Sequence, residues 1–207
     1  MTAWVAGSGA SGPSDAIPGS TDATRLGPAA GEPVAGYLER TRAVPPGPPG
    51  PRPTLVTFAA EQDVAGAAAL VRGATAREAV FRVPLPRVQT ALRQVTLGTT
   101  DPDDALRLAE AQAANRAGEQ ARTASGRSAQ IAATESARLA AGCPCTLALV
   151  VDADPALAPV LAARPGVRAV EVAPAGARTG ALAVSPLLPE QTEIVGPVPD
   201  DGPVPPP

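Results

Sequence analysis

Cys143-Pro144-Cys145 is the motif of this chain with redox potential. On an extended backbone, residues two apart point their side chains the same way, so the thiols face one side together. Three readings stay open. The pair is a disulfide across one residue, which sits badly with ordinary Cα separations and is readily reduced. Or it is a soft dithiolate for Cu(I) or half of a zinc site, although no third ligand of the right type is evident. Or the two cysteines are small apolar residues opening a buried strand. Spacing alone assigns no metal and no cofactor.

The acidic pairs read as local structure. Asp103-Asp104 stand in the first turn of a helix, where carboxylates complement the dipole. Asp152 and Asp154 flank another helix start. A Ca²⁺ site built from those two would need several more oxygens, so Asp154 reads as an N-cap. Asp200-Asp201 read as solvated charge in a tail. Arg107, Arg116, Arg122, Arg127 and Arg138 alternate with Glu110, Glu119 and Glu135 along one helical region. That pattern gives a solvated, salt-bridged helix surface, or a partner-binding face.

Composition removes most other chemistry. The 207 residues contain no His, and every basic residue is Arg. Without His there is no Ser-His or Cys-His pair and no imidazole ligand. Without Lys there is no Schiff base and no P-loop lysine. A general acid or base is left to Asp, Glu, Tyr37 or Cys. The expectation is a protein that is not an enzyme. A net charge of -3 lacks the basic stripe that nucleic-acid binding needs. Only 2% of residues are aromatic, so the core rests on Val, Leu and Ala, with Phe58 and Phe81 as its large pieces.

The elements that carry these residues follow from periodicity. Residues 1–53 read as a disordered linker rich in Pro, Gly and Ala. Within it, 33–42 fits a helical turn that turns Tyr37 and Leu38 inward, and 45–51 fits a polyproline II spacer. Thr54–Phe58 reads as a strand and Asp63–Arg72 as a helix stopped by Gly73. Arg77–Leu85 alternates, with Ala79, Phe81, Val83 and Leu85 on one face and Glu78 and Arg82 on the other. Residues 87–97 fit a helix or an irregular strand equally. Asp101-Pro102 opens a helical region to Ala141, poor in large apolar residues, with a bend at Gly118 or Gly126. Such a helix is weakly buried, or pairs closely through its Ala faces. Thr146–Val151 and Val167–Val172 are strands around a short helix capped by Asp154 and broken by Pro159. Ala181–Val184 fits a short edge strand. Residues 185–207 read as a disordered, Pro-rich tail.

Two strand-helix-strand units predict an α+β fold: a ferredoxin-like two-layer sandwich in one domain, residues 54–184, with a long helix or helical hairpin inserted at about 101–141. The second unit resembles the closing half of subtilisin-type propeptides. The matching residues are Leu147, Leu149, Leu157, Leu161, Pro165, Gly166, Val167, Val170 and Glu171. The resemblance implies an inhibitor or folding chaperone acting in trans, with Ala173–Gly180 entering a protease cleft. This chain departs from that family by placing about 60 residues between Leu85 and Thr146, where a connection of roughly 2–6 is usual.

The sequence therefore predicts a non-enzymatic protein-interaction or scaffold module with a protein partner. Its expected place is the outer face of a bacterial membrane, joined to an anchor this chain lacks, with the cytoplasm as the alternative. The propeptide-like inhibitor and a Cys143/Cys145 redox or copper-handling protein are the other two readings.

Overall fold

The computed structural model describes residues 23–98 and 101–207. The elements run β1 (Thr24–Leu26), α1 (Val34–Arg40), β2 (Arg52–Gln62), α2 (Val64–Leu70), β3 (Thr75–Phe81), β4 (Arg93–Thr96), α3 (Pro102–Thr123), α4 (Gly126–Ala140), β5 (Thr146–Ala153), α5 (Ala158–Ala162), β6 (Val167–Val172) and β7 (Leu182–Val184). The fold is α+β. Five strands form an antiparallel sheet in the order β4-β3-β5-β2-β6. β1 and β7 pair in parallel as a separate two-stranded sheet.

Register follows from the period-2 pattern. Val95, Ala79, Leu149, Val56 and Val170 lie opposite one another, one from each strand. All five belong to the main core, which α2, α3 and α5 close with Ala67, Leu106 and Leu161. A one-residue slip of any strand would turn its apolar set away from this row. Central β5 reads apolar at nearly every position because both of its faces are buried.

The helix signals act as their chemistry dictates. Asp63 accepts the Gly66 N–H at 2.6 Å and caps α2. The Asp101 carboxylate accepts from Asp103 and Asp104 N–H, with Pro102 at the first helical position of α3. The bend falls between α3 and α4, where Gly126 takes φ 57°. Gly118 stays helical, and a Cβ there would lie 3.1 Å from Ser136 Oγ. Small residues thus let α3 and α4 approach closely, and Ser136 Oγ donates to the Ala114 carbonyl at 2.9 Å. The Ala faces do pair, as a hairpin. Residues 87–97, ambiguous by pattern, resolve into a loop and the edge strand β4.

Two expectations change. The sheet is covered on both faces, not on one. The sheet face away from the helices carries Leu55, Val80, Ala148 and Val150, and it is covered by Leu26, Ala173, Leu182 and Val184. Beside it, Val34, Tyr37 and Leu187 pack on Ala169. The ordered body consequently extends beyond the limits of 54 and 184: β1 and α1 precede it, and residues 185–207 run along it instead of leaving it. Residues 1–22 of the expected linker lie outside the described residues. Glu78 and Arg82 lie on the face opposite Ala79 and Phe81, as the alternation predicts, and are buried there, Glu78 against Gln94 and Arg82 against Glu61 and Glu190. Apart from 33–42 and 181–184, neither flanking stretch has local periodicity. Its few apolar residues gain their burial from contacts remote in sequence, which pattern reading does not detect.

Candidate functional site

Cys143 and Cys145 are joined in a disulfide with a Cα–Cα distance of 5.3 Å, inside the usual disulfide range of about 4.4–6.8 Å. Gly142 at φ 74° follows α4 and turns the chain so that Cys145, just before β5, lies in the buried core, while Cys143 packs at its edge. The bond leaves no thiolate pair for a soft metal. Among the described residues, no cluster of three or more Cys, Asp or Glu groups converges as a metal site.

The five helical arginines do not share a face. Arg107 pairs with Asp104 on the exposed side of α3. Arg116 donates to the Gln94 carbonyl at 2.9 Å and Arg138 to that of Pro84 at 3.5 Å. Arg122 lies exposed in the last turn of α3. Arg127 reaches across to Asp200. Two of the glutamates expected between them in solvent are buried. Glu135 is 1% exposed, accepts the Ala91 N–H at 2.6 Å and pairs with Arg93, tying α4 to β4. Glu110 is 7% exposed and its Oε1 has no partner. Burial, and then the charge of Asp63, push its carboxyl above the usual range. Both departures have one cause: the hairpin lies on the sheet and its edge loop, so positions that read as solvated helix surface become interfaces.

Two further ionic clusters hold the cover on the sheet face away from the helices. Arg82 donates to Glu61 at 2.9 Å and to both oxygens of Glu190 at 2.8 and 2.9 Å. Glu171 accepts the Gly27 N–H at 2.7 Å, the Tyr37 hydroxyl at 3.3 Å and Arg40 at 2.8 Å. Burial first, and then the Glu171 charge, raise the Tyr37 phenol. These groups are consumed in holding α1 and residues 187–193 to the sheet. Asp152 is likewise spent, on Arg77 at 2.7 Å, and Asp154 on its cap.

The arrangement with binding geometry is one that residue patterns did not single out. Residues 200–207 cross the 86–89 turn and then lie along the α3/α4 hairpin. Asp201 pairs with Arg87 at 2.5 Å and Asp200 with Arg127 at 3.1 Å. The Gln89 N–H and then Arg127 hold the Asp200 carboxyl below its usual range, and Arg87 does the same for Asp201. The Gly202 N–H donates to the Arg87 carbonyl at 2.7 Å. Among the described residues, Arg87 is the one non-glycine at positive φ, 56°. Beyond this clamp, Thr134 Oγ1 donates to the Pro205 carbonyl at 2.7 Å. Val204 packs against the main core, and Val204–Pro207 line an open groove of about 550 Å³ together with Ala121, Ala129, Gln130 and Ala133. One signal in the sequence points here: Gly-Pro-Val-Pro occurs twice, at 196–199 and 202–205, with Asp200-Asp201 between the copies.

Among the described residues, no helix is long and apolar enough to cross a membrane. Comparison with protein-family models, with curated proteins and with solved structures returns no match.

Proposed function

We propose that this chain is a non-enzymatic protein-interaction module whose binding face is the α3/α4 hairpin. The observation that carries the reading is the seating of residues 203–207 along that hairpin. An extended segment rests on a helical surface through one side-chain hydrogen bond and apolar contact, the geometry by which folded domains hold peptides. The floor is built of small residues, so a backbone can lie close to both helices.

The core behind it reads as a ferredoxin-like sandwich. The units β2-α2-β3 and β5-α5-β6 give the strand order β3-β5-β2-β6, with β4 and the hairpin inserted between the units. A Cys143–Cys145 disulfide favours an oxidising compartment, which suits a place on the outer face of a bacterial membrane. The propeptide-like inhibitor reading has less support. The segment it would send into a protease is engaged at home: Ala173 N–H donates to the Pro53 carbonyl at 2.9 Å, Thr179 Oγ1 to Asp152 at 3.2 Å, and the chain then enters β7.

The test is site-specific photocrosslinking of the full chain in its host, with the photoreactive residue at Gln130 in the groove or at Glu39 on the exposed side of α1. A discrete protein adduct at Gln130 and not at Glu39 is expected. No adduct, or the same adducts from both positions, defeats the proposal.

A further inference from the structure

Resting on that reading, we infer that the external ligand of the groove is an extended proline-rich segment led by an acidic pair, and that residues 200–207 are its resident competitor. Proline chemistry suits the surface. Each Pro lacks an N–H, so a polyproline II segment brings carbonyl acceptors and preordered apolar rings, and loses little entropy on binding. The groove answers with one donor, Thr134 Oγ1, and an Ala floor.

Thr134 also makes the seat reversible. Its hydroxyl lies 2.7 Å from the Pro205 carbonyl and 3.0 Å from the Gln130 carbonyl one turn back in α4. One proton serves either acceptor. When the segment departs, the hydroxyl turns to Gln130 and no buried donor is stranded.

The acidic pair sets the register. Two copies of Gly-Pro-Val-Pro lie within ten residues, and the copy in the groove is the one preceded by Asp200-Asp201. The other copy follows Ile194-Val195 and lies outside, with its Val198 carbonyl accepting from Gln89 Nε2. Arg87 and Arg127 thus select for two carboxylates ahead of the Gly-Pro step. Both ion pairs are solvent-exposed, so salt screens them and they exchange readily. The groove of about 550 Å³ that residues 204–207 line is open on its outer side. A ligand with a bulkier side chain at the position of Pro206 would cover more of it.

The test uses the full chain and a dye-labelled peptide of residues 200–207, Asp-Asp-Gly-Pro-Val-Pro-Pro-Pro, read by fluorescence anisotropy. A tethered competitor acts at an effective concentration on the order of millimolar. Weakening it with D200N/D201N should therefore tighten peptide binding by at least about tenfold relative to the unmodified chain. Adding A133R to that variant should abolish binding, and an Asn-Asn version of the peptide should bind at least about tenfold more weakly. Far-UV circular dichroism of each variant checks that the body remains folded. Absence of binding to D200N/D201N, indifference to A133R, or equal binding of the Asn-Asn peptide overturns the inference. Tail exchange between copies, seen as a dimer lost in D200N/D201N, would assign the groove to a second copy and also overturn it. A Gln130 crosslink to a protein with no such segment leaves the interaction reading standing and removes this one. Peptide binding without a cellular crosslink does the reverse.

Discussion

Replacing Arg82 with Met tests the cover on the sheet face away from the helices at its least forgiving point. Arg82 is 2% exposed, and its partners differ sharply: the Glu61 side chain is 9% exposed and that of Glu190 46%. Removing Arg82 strands Glu61 as a buried carboxylate. Breaking a buried pair in this way costs about 3–5 kcal/mol. Glu190 is half in water already, so E190Q should cost no more than about 1 kcal/mol. E61Q retains the bidentate contact to Glu190 and loses one charge-assisted bond, at about 1.5–3 kcal/mol. R82M/E61L replaces the pair with apolar groups and should recover most of the R82M loss, because the stranded charge and not the missing bond dominates. Urea unfolding followed by far-UV circular dichroism ranks the four variants. An R82M loss below about 1 kcal/mol, or no recovery in the double variant, would refute the burial of this triplet under residues 187–193.

Four shorter predictions follow. A Cβ on Gly202 would lie 2.4 Å from the Pro86 carbonyl oxygen and 2.9 Å from Arg87; G202A should release residues 200–207, seen as faster amide exchange at Val204, while the urea midpoint of the body barely moves. The Asp200 and Asp201 carboxyls are held below their usual range, so their contribution to tail attachment is complete above the unfolded value near 3.8 and is lost as pH falls through the folded values; a fluorophore at position 207 should gain mobility in acid and in high salt. Glu110 has the opposite sign. Its carboxyl is raised, so its penalty is absent below about pH 4.5 and grows as pH rises toward the folded value. E110Q should therefore stabilise the protein by about 1 kcal/mol at neutral pH and by nothing in acid, read from urea midpoints at the two pH values. Reduction of Cys143–Cys145 should cost no more than about 1.5 kcal/mol, because so short a loop restrains little of the unfolded chain. A larger shift in the urea midpoint with reductant would contradict that.

What the sequence made legible was whatever its neighbours alone determine. Strands β2, β3, β5 and β6, the Asp63, Asp101 and Asp154 caps, and the helical pair with a break near Gly126 all come from local periodicity and cap chemistry. The inward turn of Tyr37 was visible from a single apolar pair in a linker-like stretch. The cover on the second sheet face was not. Leu26, Val34 and Leu187 are isolated apolar residues among Gly and Pro, and only the far face of the sheet gives them a place to bury. The groove was hidden for a related reason. Asp200 and Asp201 look like solvated charge until Arg127 and Arg87 stand opposite them, 73 and 114 residues away by number. The repeated Gly-Pro-Val-Pro was the available clue.

The composition explains why the segments flanking the five-stranded sheet fold back over it. Ala-lined helices approach closely but remove little apolar area from water, and two phenylalanines supply few large side chains. A single helical layer on such a sheet leaves Leu55, Val80 and Val150 facing solvent. Covering that face with β1, β7 and residues 185–196 adds the missing burial from chain that has no fold of its own. The two parts of the C-terminal stretch are anchored differently. Residues 187–193 are fixed by buried Leu187, by Arg82 to Glu190 and by Arg168 to the Leu188 and Gln191 carbonyls at 2.6 and 2.5 Å. Residues 200–207 hold on by exposed ion pairs, by the backbone bonds of Gly202 and Gln89, by the Thr134 hydroxyl and by Val204 packed at the edge of the main core. Their release leaves the contacts of residues 187–193 in place, and a ligand that takes their seat must replace the Val204 packing as well as the polar contacts.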